Sequence, residues 1–286
     1  MEQLTRGIYY ENDYAGVTLG ALILPQGTLL IDAPLRAEDA RAWRSALLSL
    51  GSSSRRLLVN LDSHTDRTLG ARAMECTIIA HQKTAQVFRS RPSVFKGQNA
   101  ESGSEWETQN EAVGTRWAVP DITFSECISL HWGKVEVQIG YHPGPATGAV
   151  WVSVPDENIV FVGDAVLSNQ PAFLSNANIP AWLESLKLLS ENYKNYIIVS
   201  GRGGPLPYAE VQKQQKHLEH IQATLEKLVA QNAPPEATEK LIPDLLADFK
   251  FPAKLKEQYT QRFRHGLLQY YEQHYNPTVE LVEQAS

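Results

Sequence analysis

The segment Asp62-Ser63-His64-Thr65-Asp66-Arg67 gathers two carboxylates, an imidazole and a guanidinium in one short run. Carboxylates and imidazole are the side chains that hold divalent ions. A guanidinium beside them can instead neutralise the carboxylates with no ion present. Four further features share this setting: Asp32-Ala33-Pro34, Pro143-Gly144-Pro145-Ala146-Thr147-Gly148, Gly163-Asp164-Ala165 and Gly201-Arg202-Gly203-Gly204-Pro205. They follow stretches that read as β-strands, and layered α/β proteins place ligand sites at the carboxyl ends of strands.

The elements that must position these residues are legible from hydrophobic periodicity. Residues 17–24 and 28–32 read as two strands joined by the turn Pro25-Gln26-Gly27. Ala40, Trp43, Ala46, Leu47 and Leu50 recur at helical spacing, which predicts a helix over 37–50 with Glu38 and Asp39 in its first turn. Strands are expected at 56–60 and 77–80, followed by a helix at 82–89. Hairpins are expected at 123–140 and 150–162, a helix at 181–193, and a buried strand at 196–200. Residues 90–115 are polar and rich in Gly, Ser, Asn and Gln, and read as a long surface excursion. Beyond residue 206 the chain reads as helical, over about 211–228, 236–249 and 253–275, the last with Tyr259, Phe263 and Tyr270 on one side.

Composition narrows the function classes. The 286 residues carry a net charge of −6, with 43% hydrophobic and 20% charged residues, enough to bury a large core without disulfides. Charges are dispersed and no basic stripe interleaves with aromatics, so nucleic acid is not an expected partner. The two cysteines, Cys76 and Cys127, have no metal or redox spacing and point to buried strand positions in a reducing cytoplasm. No apolar leader core and no run of about 18 apolar residues is visible, so a membrane is not an expected partner either.

Taken in order, the five features resemble the metallo-β-lactamase superfamily over roughly residues 4–206. That family carries His-x-His-x-Asp-His after a strand, then Pro-Gly-x-x-His-Thr, Gly-Asp-Ala-like and Gly-His-Gly turns. The resemblance implies an αββα sandwich, over 1–206, with residues 207–286 as a helical extension packed on it. It also implies a centre in which two divalent ions polarise a bridging water, held by ligands converging from alternate positions. The carry-over onto this chain is partial. His64, Asp66 and Asp164 stand where the family has ligands, and Asp62 replaces the first histidine. Arg67 occupies the fourth position, the histidine expected before Thr147 is missing after Ala146, and Arg202 replaces the last histidine.

Two readings follow. In the first, Asp62, His64, Asp66 and Asp164 hold one divalent ion, with Mn²⁺, Mg²⁺ or Fe²⁺ suiting the oxygen-rich set better than a pair of Zn²⁺ ions. Asp66 then serves catalysis, in a hydrolase of esters, amides, thioesters or phosphoesters. In the second, no metal is bound, Arg67 and Arg202 compensate the carboxylates, and the cleft binds a small molecule or a partner without hydrolysis. His142, near the missing histidine, is a further cleft candidate. Either way the C-terminal helices are expected to cover the cleft or form a homodimer interface. Asp32 reads as a turn anchor and His81 as a packing or capping residue, while His217, His220, His265 and His274 read as solvent-facing. Trp106, Trp117 and Trp132 are expected to line the cleft or pack in the core.

Overall fold

The computed structural model describes residues 1–97 and 101–275. Two sheets pack face to face. In chain order the first is β1 (Glu2–Thr5), β2 (Ile8–Glu11), β3 (Leu19–Leu24), β4 (Gly27–Ile31), β5 (Arg56–Val59), β6 (Thr77–His81) and β7 (Ile122–Phe124). Strands β1 to β4 form an antiparallel meander, and β4 to β7 run parallel. The parallel crossovers are made by α1 (Ala37–Ser49), the single-turn α2 (Thr65–Thr68) and α3 (Gln82–Ser90). The second sheet comprises β8 (Cys127–Trp132), β9 (Val135–Tyr141), β10 (Val150–Val154), β11 (Ile159–Gly163), β12 (Ile197–Ser200) and β13 (Gly204–Leu206). It is ordered β13-β12-β11-β10-β9-β8, with only β11 and β12 parallel, joined by α4 (Ile179–Asn192). Then come α5 (Ala209–Ala230), α6 (Ile242–Ala247) and α7 (Lys256–Tyr275).

The period-two side-chain alternation of strands sorts the core into layers. Leu29 and Ile31 of β4 meet Val150, Val152 and Val154 of β10 between the sheets. Leu30, between them in sequence, faces outward onto Trp43 and Leu47 of α1. On the other side, Trp151, Val160 and Val162 pack against Trp182 and Leu186 of α4 and Leu218 and Ile221 of α5. The same apolar cluster takes in Tyr259, Phe263, Leu267 and Tyr270 of α7. The chain is therefore an αββα sandwich with a helical C-terminal part, as its resemblance implied.

Several local expectations are corrected. Asp32 leaves the strand with a left-handed φ of 59°, which ends β4 at Ile31. The C-terminal stretches expected as plain helices begin as 3₁₀ turns, Pro235–Leu241 before α6 and Ala253–Leu255 before α7. The excursion over 90–115 is not a free surface loop in its described part. Ser104 and Glu107 form a capping box on the turn Glu105–Thr108, and the Gly103 carbonyl accepts hydrogen bonds from Arg262 of α7. Residues 98–100 lie outside the described residues. Trp106 and Trp117 pack with Phe95 and Leu35, and Trp132 flanks the inter-sheet core. His217 is buried, against expectation, because it sits on the inward face of α5 with Leu218 and Ile221. Cys127 is exposed and Cys76 half-buried, both as free thiols. Among the described residues no helix is long and apolar enough to cross a membrane.

Gly144 in the Pro-Gly turn shows how tightly the second sheet meets α4. Its φ is 150°, and a Cβ there would lie 2.5 Å from the Trp182 backbone. Gly144→Ala is expected to cost about 2–3 kcal/mol, since overpacking a filled core forces backbone shifts. A urea midpoint equal to that of the parent would show that the turn has slack.

Candidate functional site

The chemistry-bearing residues converge at one end of the sandwich. Asp32 follows β4, Asp62 follows β5, Asp164 follows β11 and Arg202 follows β12, so four strand ends deliver them to the same edge. Between them, α2 carries Asp66 and Arg67, with His64 as its N-cap residue. The backbone is fixed by the side chains it presents. The Leu61 amide donates to Asp32 Oδ1 at 2.9 Å and the His64 amide to Asp62 Oδ1 at 2.8 Å. The Thr68 hydroxyl donates to the His64 carbonyl at 2.6 Å.

The result is a lattice of ion pairs centred on two guanidiniums. Arg67 Nη1 donates to Asp62 Oδ2 at 3.1 Å and lies 3.7 Å from Asp32 Oδ2, and its Nη2 donates to Asp164 Oδ1. Arg202 Nε donates to Asp164 Oδ2 at 3.1 Å, and Nη2 lies 2.6 Å from Asp66 Oδ2. The Asp66 contact is an ion pair without an aligned hydrogen bond, and Asp66 Oδ1 is buried with no hydrogen-bond partner. His64 Nδ1 lies 3.1 Å from Asp62 Oδ2 and 3.3 Å from Asp164 Oδ2. Gly201 makes room for Arg67: a Cβ there would stand 2.8 Å from its Nη2.

Nearly all of this is inaccessible to solvent. Arg67 is 0% exposed, Asp62 and Asp66 1%, Asp164 2% and Arg202 5%. Three groups that sequence reasoning missed close the top. Glu105 accepts from Arg202 at 3.2 Å and from Arg262 of α7 at 2.8 Å. The Phe173 ring lies against both guanidiniums, 4.6 Å from Arg202 and 4.0 Å from Arg262, and 5.5 Å from the His64 ring. Arg262 is the detectable one, because it falls in the same helical stripe as Tyr259, Phe263 and Tyr270. Glu105 and Phe173 lie in irregular segments that carry no periodicity.

Opposite charges face one another within the cluster. Burial would raise Asp62, but Arg67 and then His64 outweigh it and hold the carboxyl below its ordinary range. Burial likewise opposes ionisation of Asp164, and Arg202, Arg67 and His64 overcome it. Burial opposes ionisation of Glu105 too, and Arg262 and then Arg202 lower it nonetheless. Burial would discharge His64, but Asp62 and Asp164 outweigh it and raise the imidazole above its ordinary value. Asp32 goes the other way: burial pushes it up to about 8 despite Arg67. The carboxyl groups of Asp62, Asp66, Asp164 and Glu105 thus face Arg67, Arg202, Arg262 and His64.

This arrangement does not fit the two-ion centre of the resembling family. Asp62, His64 and Asp164 do offer ligand atoms within 4.8 Å of one another. Arg67, however, donates to both carboxylates of that trio, and a divalent ion there would face a guanidinium in contact with its own ligands. Asp66, expected as a ligand and catalytic group, stands outside the trio and faces Arg202. His142 is not brought to the cluster at all. Its ring stacks on Trp151 at 3.8 Å, within the layer between the second sheet and α4.

Arg202→Ala leaves Asp66 and Asp164 short of a cation and is expected to cost about 3–5 kcal/mol in urea unfolding. An unchanged midpoint would mean that the lattice does not depend on this guanidinium. A second prediction concerns His142, where burial lowers the imidazole from 6.5 to about 4. Between those values the unfolded chain takes up a proton that the folded chain refuses, so stability is retained above the upper value and lost as pH falls. His142→Phe keeps the stacking and is expected to recover about 2 kcal/mol of the acid loss, allowing for partial exposure. Parallel stability–pH curves for the two proteins would contradict this.

Comparisons with known proteins agree with the geometry. No curated protein is similar enough in sequence to match. Among solved structures, a metallo-β-lactamase family protein from Thermus thermophilus is 21% identical, with a TM-score of 0.63 and 95% of each chain covered. A metallo-β-lactamase from Pontibacter korlensis is 16% identical, with a TM-score of 0.58, 76% of this chain and 97% of the other covered. A stereoselective inverting sec-alkylsulfatase from a Pseudomonas species is 14% identical, with a TM-score of 0.66, covering 95% of this chain and 49% of its own. At these identities the likenesses establish the fold. The family model of the metallo-β-lactamase superfamily matches residues 64–209, from His64 through the Arg202 turn, and the chain belongs to that superfamily.

Proposed function

We propose that this protein is a member of the superfamily that lacks the two-metal hydrolytic activity, and that it acts by binding a small molecule or a partner at the mouth of the former cleft. The observation that carries this reading is the pair Arg67 and Arg202, each joining carboxylates that an ion would otherwise have to neutralise. A guanidinium is fixed to the backbone and cannot supply an open coordination position, which is what activates water in a metal hydrolase. Asp62, Asp66 and Asp164 are themselves buried, and Phe173 lies beside them against Arg202, Arg262 and His64.

The surface above the lattice is where binding would occur. A depression of about 660 Å³ lies there, with Glu105 on its floor and walls from Gly103, Glu107, Lys254, Glu257 and Gln258. Its size is that of a site for a small organic molecule.

A second reading is favoured by one observation, the Asp62, His64 and Asp164 trio. It is a hydrolase with a single ion, which requires Arg67 to swing away. Elemental analysis of protein purified without chelator separates the two. The proposal expects far less than one ion per chain and no thermal shift on adding Zn²⁺, Mn²⁺ or Fe²⁺. About one ion per chain, lost in Asp62→Ala, would overturn it in favour of the single-ion site, because ion binding to a folded site raises its stability.

A further inference from the structure

Strand β8 ends the second sheet, and its outer edge is open. It pairs with β9 on one side, and among the described residues no backbone hydrogen bond reaches it from the other. An open edge is a row of unpaired N–H and C=O groups, a template for a further strand. Folded proteins guard such edges with prolines, bulges, charged side chains or very short strands. Cys127-Ile128-Ser129-Leu130-His131-Trp132 has none of these guards: six residues in unbroken register with β9, without Pro, Asp, Glu, Lys or Arg.

The hairpin decides which backbone groups the edge offers. β8 and β9 are joined by the two-residue turn Gly133-Lys134, with Trp132 opposite Val135. The pair flanking such a turn exchanges hydrogen bonds, and bonded and non-bonded pairs then alternate along an antiparallel ladder. Trp132, Leu130, Ile128 and Glu126 therefore turn their backbone groups toward β9. The Tyr141 amide donates to the Glu126 carbonyl at 2.8 Å, in agreement with that parity. Cys127, Ser129 and His131 turn theirs outward, and all three residues are exposed.

The side chains add a second pattern. Ile128, Leu130 and Trp132 are half-buried against the core between the sheets. Glu126 stands before the strand and Lys134 after it, both exposed. Neither forms an ion pair among the described residues. The edge is thus neutral along its length, with opposite charges at its two ends.

We propose that this edge joins a second copy of the chain, β8 to β8 and antiparallel, about a two-fold axis. Outward-facing residues must meet outward-facing residues to exchange hydrogen bonds, which excludes every other register. Among those left, one places Leu130 on the axis and sets Ser129 opposite the partner's His131. The same register sets Ile128 opposite the partner's Trp132, so the half-buried apolar face continues across the junction. It also brings Glu126 alongside the partner's Lys134, twice by symmetry. Opposite-charge and aromatic–β-branched pairs across strands are favourable. The neighbouring allowed registers lose this match: Ser129 on the axis sets Glu126 against Trp132, and His131 on the axis sets Lys134 against Ile128. One patch meeting itself is the isologous contact of a two-fold dimer. An edge of this length buries less than a standard interface, so the dimer forms and dissociates with concentration.

Sedimentation velocity on the full chain from about 1 to 500 μM tests this, with a monomer–dimer equilibrium expected in that range. Lys134→Glu sets two acidic pairs across the junction and should weaken association about ten-fold or more. Combining it with Glu126→Lys restores opposite charges in this register and should recover the association of the parent. Ser129→Pro removes an outward N–H and spares the ladder to β9, so it should abolish the dimer with little change in the thermal midpoint. A chain that stays monomeric across the range overturns the proposal. So does a dimer indifferent to Ser129→Pro and Lys134→Glu, which would place the contact elsewhere, and so does a charge exchange that fails to recover association.

Discussion

The contact between the Arg67 guanidinium and the carboxylates of Asp62 and Asp164 is the interaction on which the rest of this end of the molecule depends. Four strand ends from two sheets bring charged side chains to one buried edge. Like carboxylates in a medium of low polarity resist ionising together unless a cation stands between them. Arg67 comes from α2, next to β5, and reaches across to the turn after β11. It therefore ties the first sheet to the second. Arg202 repeats the device in the other direction, from the turn after β12 back to Asp66 on α2 and to the Gly16 carbonyl. Such pairs contribute modestly when complete, and their loss is what costs. They fix which strand ends face one another more than they add to net stability.

The C-terminal helices belong to the same electrostatic unit. Arg262 of α7 holds the Gly103 and Pro171 carbonyls and Glu105, while Glu105 in turn reaches Arg202. An arginine in an apolar helical stripe would be a fault if it were unpaired, and here it supplies the donors that two irregular segments need. The ring of Phe173 beside two guanidiniums adds a cation–π contact with each, worth more where water is excluded. The contact is steric as well as electrostatic: Phe173 and Arg262 pack beside the Arg202 guanidinium that meets Asp66 and Asp164.

Much of this is legible in the sequence, and the limits have physical reasons. The layers are readable because alternation in strands such as 28–32 and 150–154 is a local pattern. The positions of Asp62, His64, Asp66, Asp164 and Arg202 are readable because turn motifs fix where a side chain leaves a strand. Their pairing is readable only in kind. Charge compensation by arginine is expected from the residue types, but the structure decides that Arg67 reaches Asp62 and Asp164 while Arg202 takes Asp66 and shares Asp164. That choice depends on the reach of α2 across the sheet edge, which no spacing encodes. His217 departs from its expected exposure for a related reason: a polar residue in a helical stripe reads as exposed unless its partner, Asp248 in a later segment, is known. Glu105 and Phe173 give no signal, since irregular backbone has no period to betray a buried side chain.

The difference between a guanidinium and a metal ion at such a centre is a difference in what can be removed. An ion is exchangeable, so a fold that relies on one to neutralise clustered carboxylates varies in stability with metal supply. An arginine is covalently attached and keeps its charge across the physiological range, so the same carboxylates stay compensated under all conditions in which the chain is folded. What is given up is the open coordination site. On the proposed reading, the two arginines in this chain substitute for the structural half of a metal centre, the neutralisation of charge at the sheet edge, and leave out the half that activates water.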